Sequence, residues 1–371
     1  MTPPQSLLRR TGIAFVALTV GAIGYAMWRS AAPAATLTRT PAPIDWSALP
    51  HATITANPER GELALDLPPV DLPAGSVRDL PASLGEFPLN GSIYAFHAEL
   101  IDENDRQIPI GLLHHMNVMD PSERELFLPI SRRILASGTE TGEVRFPWLL
   151  FGARVREGQR ILANAMLHNP TTVGYRAVRV RLVVNYVPDN RPWPFFTILP
   201  WQLDVAFPVG DKSFDLPPGR SERSYEGSPA VEGKLIVIGG HMHEYGRTIE
   251  MWDATTGKML WHGEPAPAPP GKPQAVPLSK LYSFTGLGLR ILPTHRYRVR
   301  VMYENPTGRT IAAGGMGVIG GLFMPDRDAV WPATDPSDSL YQHDLRHFMG
   351  RYPASGMPAM GAGDMHSHTA H

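Results

Sequence analysis

Fourteen histidines, fifteen methionines and no cysteine set the metal chemistry open to this chain. Without thiolate there is no disulfide framework, no iron–sulfur cluster and no cysteine nucleophile. An ion must be held by imidazole, carboxylate or thioether. Two histidine islands stand out. His114-His115 lies in Gly-Leu-Leu-His-His-Met-Asn-Val-Met, and His241-Met242-His243 lies in Gly-Gly-His-Met-His-Glu-Tyr-Gly-Arg. In a strand, residues i and i+2 share a face, so His241 and His243 can turn two imidazoles toward one ion. Adjacent residues diverge, so His114 and His115 can share an ion only at a bulge or a strand end. Imidazole suits zinc, copper, iron and nickel, whereas thioether selects Cu(I), and abundant methionine makes copper the expected metal. No Gly-x-Ser-x-Gly, phosphate loop or dinucleotide fingerprint is present. His97, His262 and His295 read as ordinary strand residues.

The elements that must position these islands read as strands. In Val178–Tyr186 the even positions are apolar, and Tyr297–Tyr303 alternates in the same way with arginines between. Thr248–Trp252 and Lys258–Trp261 flank a turn at Asp253–Gly257. Ser92–Ile101 and Gln107–Leu113 flank another at Asp102–Asp105. No long amphipathic helix is expected between 90 and 325. With 35 glycines and 38 prolines punctuating short strands, the expectation is an all-β chain of two sandwiches in tandem. The expected division is an N-terminal segment 1–30, a Pro/Ala-rich linker and lead-in 31–88, a first sandwich 89–200, a second 201–326, and an irregular segment 327–371. No internal sequence repeat is expected.

At 371 residues the chain is long for a single core, and its 43% hydrophobic and 19% charged residues are those of a globular protein. A net charge of −1 argues against nucleic acid as a partner. Thr11–Trp28 is an uncharged apolar run preceded by Arg9-Arg10. Its length exceeds the about 7–15 residues of a signal-peptide core and reaches the roughly 17–25 of a membrane span. The arginines place the N-terminus inside and the body outside. The expectation is an inner-membrane anchor with exported, periplasmic domains, or a secreted protein if the leader is cleaved near Ala32-Pro33-Ala34.

Taken in order, His-His-Met, Leu167-His168-Asn169-Pro170, His-x-His, Tyr303-Glu304-Asn305-Pro306 and Gly314-Gly315-Met316-Gly317 resemble the copper type II, ascorbate-dependent monooxygenases. These are the peptidylglycine α-hydroxylating and dopamine β-monooxygenase family. The resemblance spans about residues 90–325, in short islands. It implies two jelly-roll sandwiches, each carrying one copper. The first site, for electron transfer, would use His114, His115 and a third ligand. The second, where oxygen and a small-molecule or peptide substrate meet, would use His241, His243 and a methionine, with ascorbate or another donor supplying electrons. Two positions depart from the family. The third ligand of the first site falls on Met166, with His168 two residues on. The catalytic methionine falls on Leu322, with Met316 and Met324 as the nearest alternatives. These departures keep open a second reading: a non-catalytic copper-binding, buffering or delivery protein of the same fold. The tail adds Met360, Met365, His366, His368 and His371, donors suited to capturing copper without a fold.

Overall fold

A computed structural model describes residues 46–350 apart from 139–141, 207–211, 268–273 and 284–285. The alternation read in the sequence is the physical origin of the sheets. Along Tyr175–Pro188 every even residue from Val178 to Tyr186 is buried, while the arginines between them pair with Asp66 and Asp105 on the wet face. Both hairpins form as expected: Gly91–Ile101 pairs with Gln107–Ile108, and Gly246–Asp253 with Lys258–Gly263.

The chain is all-β, in two pairs of facing sheets. In the first half, a nine-stranded sheet centred on Tyr175–Pro188 and Gly91–Ile101 faces a four-stranded sheet. The four strands run in the order Val77–Glu86, Arg160–His168, Leu113–Arg124, Ser131–Gly138. In the second half, a five-stranded sheet centred on Gly317–Pro325 and Gly233–Met242 faces the four strands Gly219–Gly227, Tyr297–Asn305, Gly246–Asp253 and Lys258–Gly263. Each pair encloses its own apolar core. The outward face of the five-stranded sheet contributes Ile236, Val237 and Leu322 to the core of the first half, which seats one half on the other.

The described part of the expected linker is not a linker. Thr53–Asn57, Glu62–Asp66, Val70–Leu72 and Val77–Glu86 are strands of the first half. Their prolines lie between strands or toward sheet edges, which is where a residue lacking an N–H is tolerated. The C-terminal segment is not wholly irregular either, because Ser339–Phe348 is an α-helix (α1). Asp338 caps it by accepting from the amides of Leu340 and Tyr341. Tyr341, Leu345 and Phe348 lie on one face and pack with Met119 and Leu162 on the outer face of the first four-stranded sheet.

The two halves are also repeats of one another, against expectation. Asp71-Leu72-Pro73-x-Gly75 corresponds to Asp215-Leu216-Pro217-x-Gly219, and Asn169-Pro170-Thr171 to Asn305-Pro306-Thr307. Nδ2 of Asn169 donates to the carbonyls of Leu72, Pro73 and Val173 at 3.3, 3.1 and 2.8 Å. Nδ2 of Asn305 donates to those of Leu216, Pro217 and Arg309 at 3.2, 3.1 and 2.8 Å. Each Asn Oδ1 accepts the amide and hydroxyl of its threonine. Asp71 and Asp215 each accept, at 3.0 Å, the amide of an alanine held at positive φ, Ala177 and Ala313. The matching strand orders complete the correspondence. So few residues carry it that the duplication is legible only once the hydrogen bonds are seen.

These asparagines are corner pins. Asn305→Ala leaves buried carbonyls unpartnered, and its expected cost is about 2–4 kcal/mol, with Asn169→Ala alike. Urea unfolding checks it. A loss below about 1 kcal/mol would mean that water takes over the bonds.

Candidate metal centre

The His-His island sits where adjacent histidines can cooperate. On Leu113–Arg124, His115 lies opposite Met166 while Leu113 lies opposite Leu167. His114 is therefore the extra residue of a β-bulge, which breaks the alternation that would otherwise send the two side chains to opposite faces. The rings stand 5.3 Å apart and are tilted by 57°. His114 is exposed and His115 buried, and the Nδ1 of His115 is enclosed without a hydrogen-bond partner. Burial, and then the adjacent His114, push the His115 imidazole down to about 3, so it is neutral with a lone pair available.

Met166 is the direct cross-strand neighbour of His115, a position that brings Cβ atoms to about 4.5–5.5 Å. One lateral row of the sheet reads Asp79, Met166, His115, Gly138. His168 lies beyond this row, exposed and paired with Val77. The geometry thus groups Met166, not His168, with the histidine pair.

The second island closes a strand. His241 pairs with Val318 on one side and Ala275 on the other, near the end of Gly233–Met242. His243 follows just past the end, with its ring 5.7 Å from that of His241 and at 88° to it. Met242, between them, is fully buried in the second core and faces away. The Nε2 of His241 is buried without a hydrogen-bond partner. Burial and then His243 push this imidazole down to about 3.

Which methionine joins the pair is decided by register. Met242 pairs with Gly317 at the end of the ladder, and His243 and Met316 are the next residues beyond that pair. Tyr303 holds this end of the sheet together. Its hydroxyl accepts from the amides of His243 and Met316, both at 3.0 Å, and donates to the Met316 carbonyl. Burial pushes the phenol well above its ordinary value, so it remains a donor. Met316 is buried, yet lies outside the apolar core cluster of the second half. Met324, in contrast, pairs with Lys234, roughly 23 Å along the strand from His241 at about 3.3 Å per residue. Leu322 pairs with Val237, roughly 13 Å away, and packs in the shared core. Met324 and Leu322 therefore lie away from the His241 end of the strand, whereas Met316 lies at that end.

Each island thus offers two imidazoles and one thioether. Among the described residues, no three His, Asp or Glu side chains gather closely enough to hold an ion. Imidazole suits copper among several metals, and thioether selects Cu(I). The remaining strand histidines have plain roles: His97 meets Glu99 at 3.3 Å, and His295 meets Asp253 at 2.8 Å. Arg247, four residues after His243, is ion-paired to Glu304. The leader run and Met360, Met365, His366, His368 and His371 lie outside the described residues. Among the described residues, no helix is long and apolar enough to cross a membrane.

Sequence reading missed the polar cluster that joins the halves beside these islands. Arg133 makes a two-pronged pair with Asp344 of α1, at 2.7 and 2.6 Å. The Glu125 carboxylate accepts the Arg133 amide at 2.9 Å and the Gln202 side chain at 3.4 Å. Lys212 reaches Gln202 at 3.2 Å and Asp204 at 3.8 Å. Asp204 is opposite Val318, two strands from His241 on the same face. Charged residues scattered from 125 to 344 carry no local pattern that would announce such a cluster.

Burial raises the Asp204 carboxyl from its ordinary 3.8 to about 6, against the pull of Lys212. Between about pH 4 and 6 the native chain keeps a proton that the unfolded chain has released. Stability from this group is therefore lost as pH rises through that window, by up to ~3 kcal/mol. Asp204→Asn is expected to flatten that component, measured as the difference between wild-type and variant urea midpoints across the window. Parallel curves would show that Asp204 ionises normally.

No protein-family model matches the chain, and no curated protein matches it. Among solved structures, the major capsid protein P2 of bacteriophage PM2 aligns at 9% identity and a TM-score of 0.35, over 70% of this chain and 99% of that one. PNGF-II aligns at 10% identity and a TM-score of 0.29, over 75% of this chain and 62% of that one.

Proposed function

We propose that this chain is an exported copper protein with two sites, acting as a monooxygenase that hydroxylates a C–H bond with O2 and an ascorbate-type reductant. The observation that carries the reading is the convergence of His241, His243 and Met316 at one strand end, with the His241 Nε2 buried and unpartnered. This is the ligand set that the resemblance to the copper type II, ascorbate-dependent monooxygenases calls for, as are two jelly-roll sandwiches. Copper, when bound, supplies one-electron chemistry and a place for oxygen to react. The protein's part is to present the His115 and His241 imidazoles neutral, kept so by burial, and to fix the donors in space. Tyr303 does the latter by tying the His243 and Met316 backbones to a single hydroxyl. His114, His115 and Met166 would hold the electron-transfer copper. The substrate is a small molecule or peptide, and the apolar run 11–28 holds the body to the inner membrane on its periplasmic side.

The second reading, a carrier or buffer of Cu(I), is favoured by one observation: a thioether, not an imidazole, faces His115 across the strands. Copper stoichiometry and oxygen uptake separate the two. The chain is prepared with the tail donors Met360, Met365, His366, His368 and His371 replaced by alanine, so that they supply no metal. Two coppers per chain with ascorbate-dependent oxygen consumption support the enzyme. Two coppers with no consumption across a panel of candidate substrates support the carrier. A chain that binds no copper sinks both.

A further inference from the structure

Two loops of the first half expose a run of large apolar side chains that the metal chemistry does not use. Trp148, Leu149 and Leu150 project from the edge of the nine-stranded sheet, between Val144–Arg145 and Phe151–Val155, with 43, 44 and 41% of their surface exposed. Trp193 and Phe195 stand beside them, and Phe195 is 65% exposed. The two loops form one ridge. The Phe195 amide donates to the Leu149 carbonyl at 3.2 Å, and the Phe196 amide to that of Leu150 at 2.8 Å. The Trp148 and Trp193 rings meet edge to face at 5.9 Å. The ridge is thus braced by backbone bonds and ring packing, and its outward surface is apolar.

Soluble surfaces rarely gather so many large apolar groups in contact. Indole beside Leu and Phe is the composition that settles at the water–lipid boundary, where the ring buries its body and keeps its N–H wet. Exposed Arg191 precedes the second loop and adds a charge suited to anionic headgroups. The chain outside the described residues argues for the same occupant. Residues 29–45 reach at most about 3.4 Å each, so an anchor at 11–28 would hold the sandwiches within roughly 60 Å of a bilayer.

We propose that the ridge of Trp148, Leu149, Leu150, Trp193 and Phe195 inserts into the outer leaflet of the phospholipid membrane that anchors the chain, which orients the metal centres relative to that surface. The proposal rests on the anchor reading above.

The test exploits the absence of cysteine. Full chains carrying Leu149→Cys, Phe195→Cys or, as control, Asn104→Cys are labelled with a polarity-sensitive nitrobenzoxadiazole probe. Asn104 lies in the turn at the far end of Gly91–Ile101. Each chain is reconstituted in phosphatidylcholine–phosphatidylglycerol vesicles, with and without spin-labelled lipid. The expected result is blue-shifted emission, quenched by the spin-labelled lipid, at 149 and 195, with water-like emission at 104. Chains that remain on vesicles while all three probes report water overturn the ridge but leave the anchor standing. Chains that fail to stay on vesicles overturn both. A blue shift at 149 and 195 that grows with chain density and ignores the lipid quencher would assign the ridge to a second copy, and also overturns the proposal.

Discussion

A chain carrying His241→Ala and His243→Ala is expected to fall from two bound coppers to one and to lose ascorbate-dependent oxygen uptake. Two of the three proposed donors vanish, and what remains is a thioether with no imidazole beside it. The affinity loss should exceed the about 10–100-fold that follows removal of a single supporting group outside a ligand set. Methionine variants sharpen the test. Met316→Leu keeps the volume and removes the sulfur, so it should weaken Cu(I) binding at that site while sparing the fold. Met324→Leu should change nothing, because Met324 pairs with Lys234 far along the strand. If Met324→Leu weakened copper and Met316→Leu did not, the register argument would be wrong. X-ray absorption at the copper edge of a His114→Ala/His115→Ala chain, which would keep only the second site, would show directly whether a sulfur neighbour disappears on Met316→Leu.

The second large effect concerns the seating of α1 on the first four-stranded sheet. Asp344→Ala strips the carboxylate partner from Arg133, whose side chain is 13% exposed and holds Asp344 in a two-pronged pair. Leaving one buried charge unpaired costs about 3–5 kcal/mol, far more than loss of a surface ion pair. The expected outcome is a lower urea midpoint and early release of α1. Amide exchange at Leu345–Phe348 should report that release before the sheets open. A paired replacement, Arg133→Met with Asp344→Leu, should recover most of the loss, since the penalty comes from the orphaned charge and not from the absence of the pair. Equal losses in both variants would mean that shape, not charge, holds the helix.

How much of this was legible beforehand depends on the range over which each feature is encoded. The strands and both hairpins were, because burial on one face writes a period of two into neighbouring residues such as Val178–Tyr186. The need for a bulge at His114-His115 was equally readable, since adjacent side chains in a regular strand diverge. The early strands Thr53–Glu86 were missed because proline and glycine between short strands read as linker. The duplication was missed because only the corner residues around Asn169 and Asn305 keep it.

The sequence by itself determined the donor inventory, the all-β class and the two histidine pairs, because composition and short-range spacing suffice for each. Tertiary structure alone decided which methionine lies near which histidine pair along the strands. Counting residues after Gly314-Gly315 favoured Leu322, whereas the Tyr303 hydroxyl ties the Met316 and His243 backbones together and strand register carries Met324 away. Cross-strand neighbours are set by where two distant segments come into register, and that depends on packing of the whole sheet. The Arg133–Asp344 joint has the same origin. Its members are brought together only after both sandwiches and the C-terminal helix have formed around them.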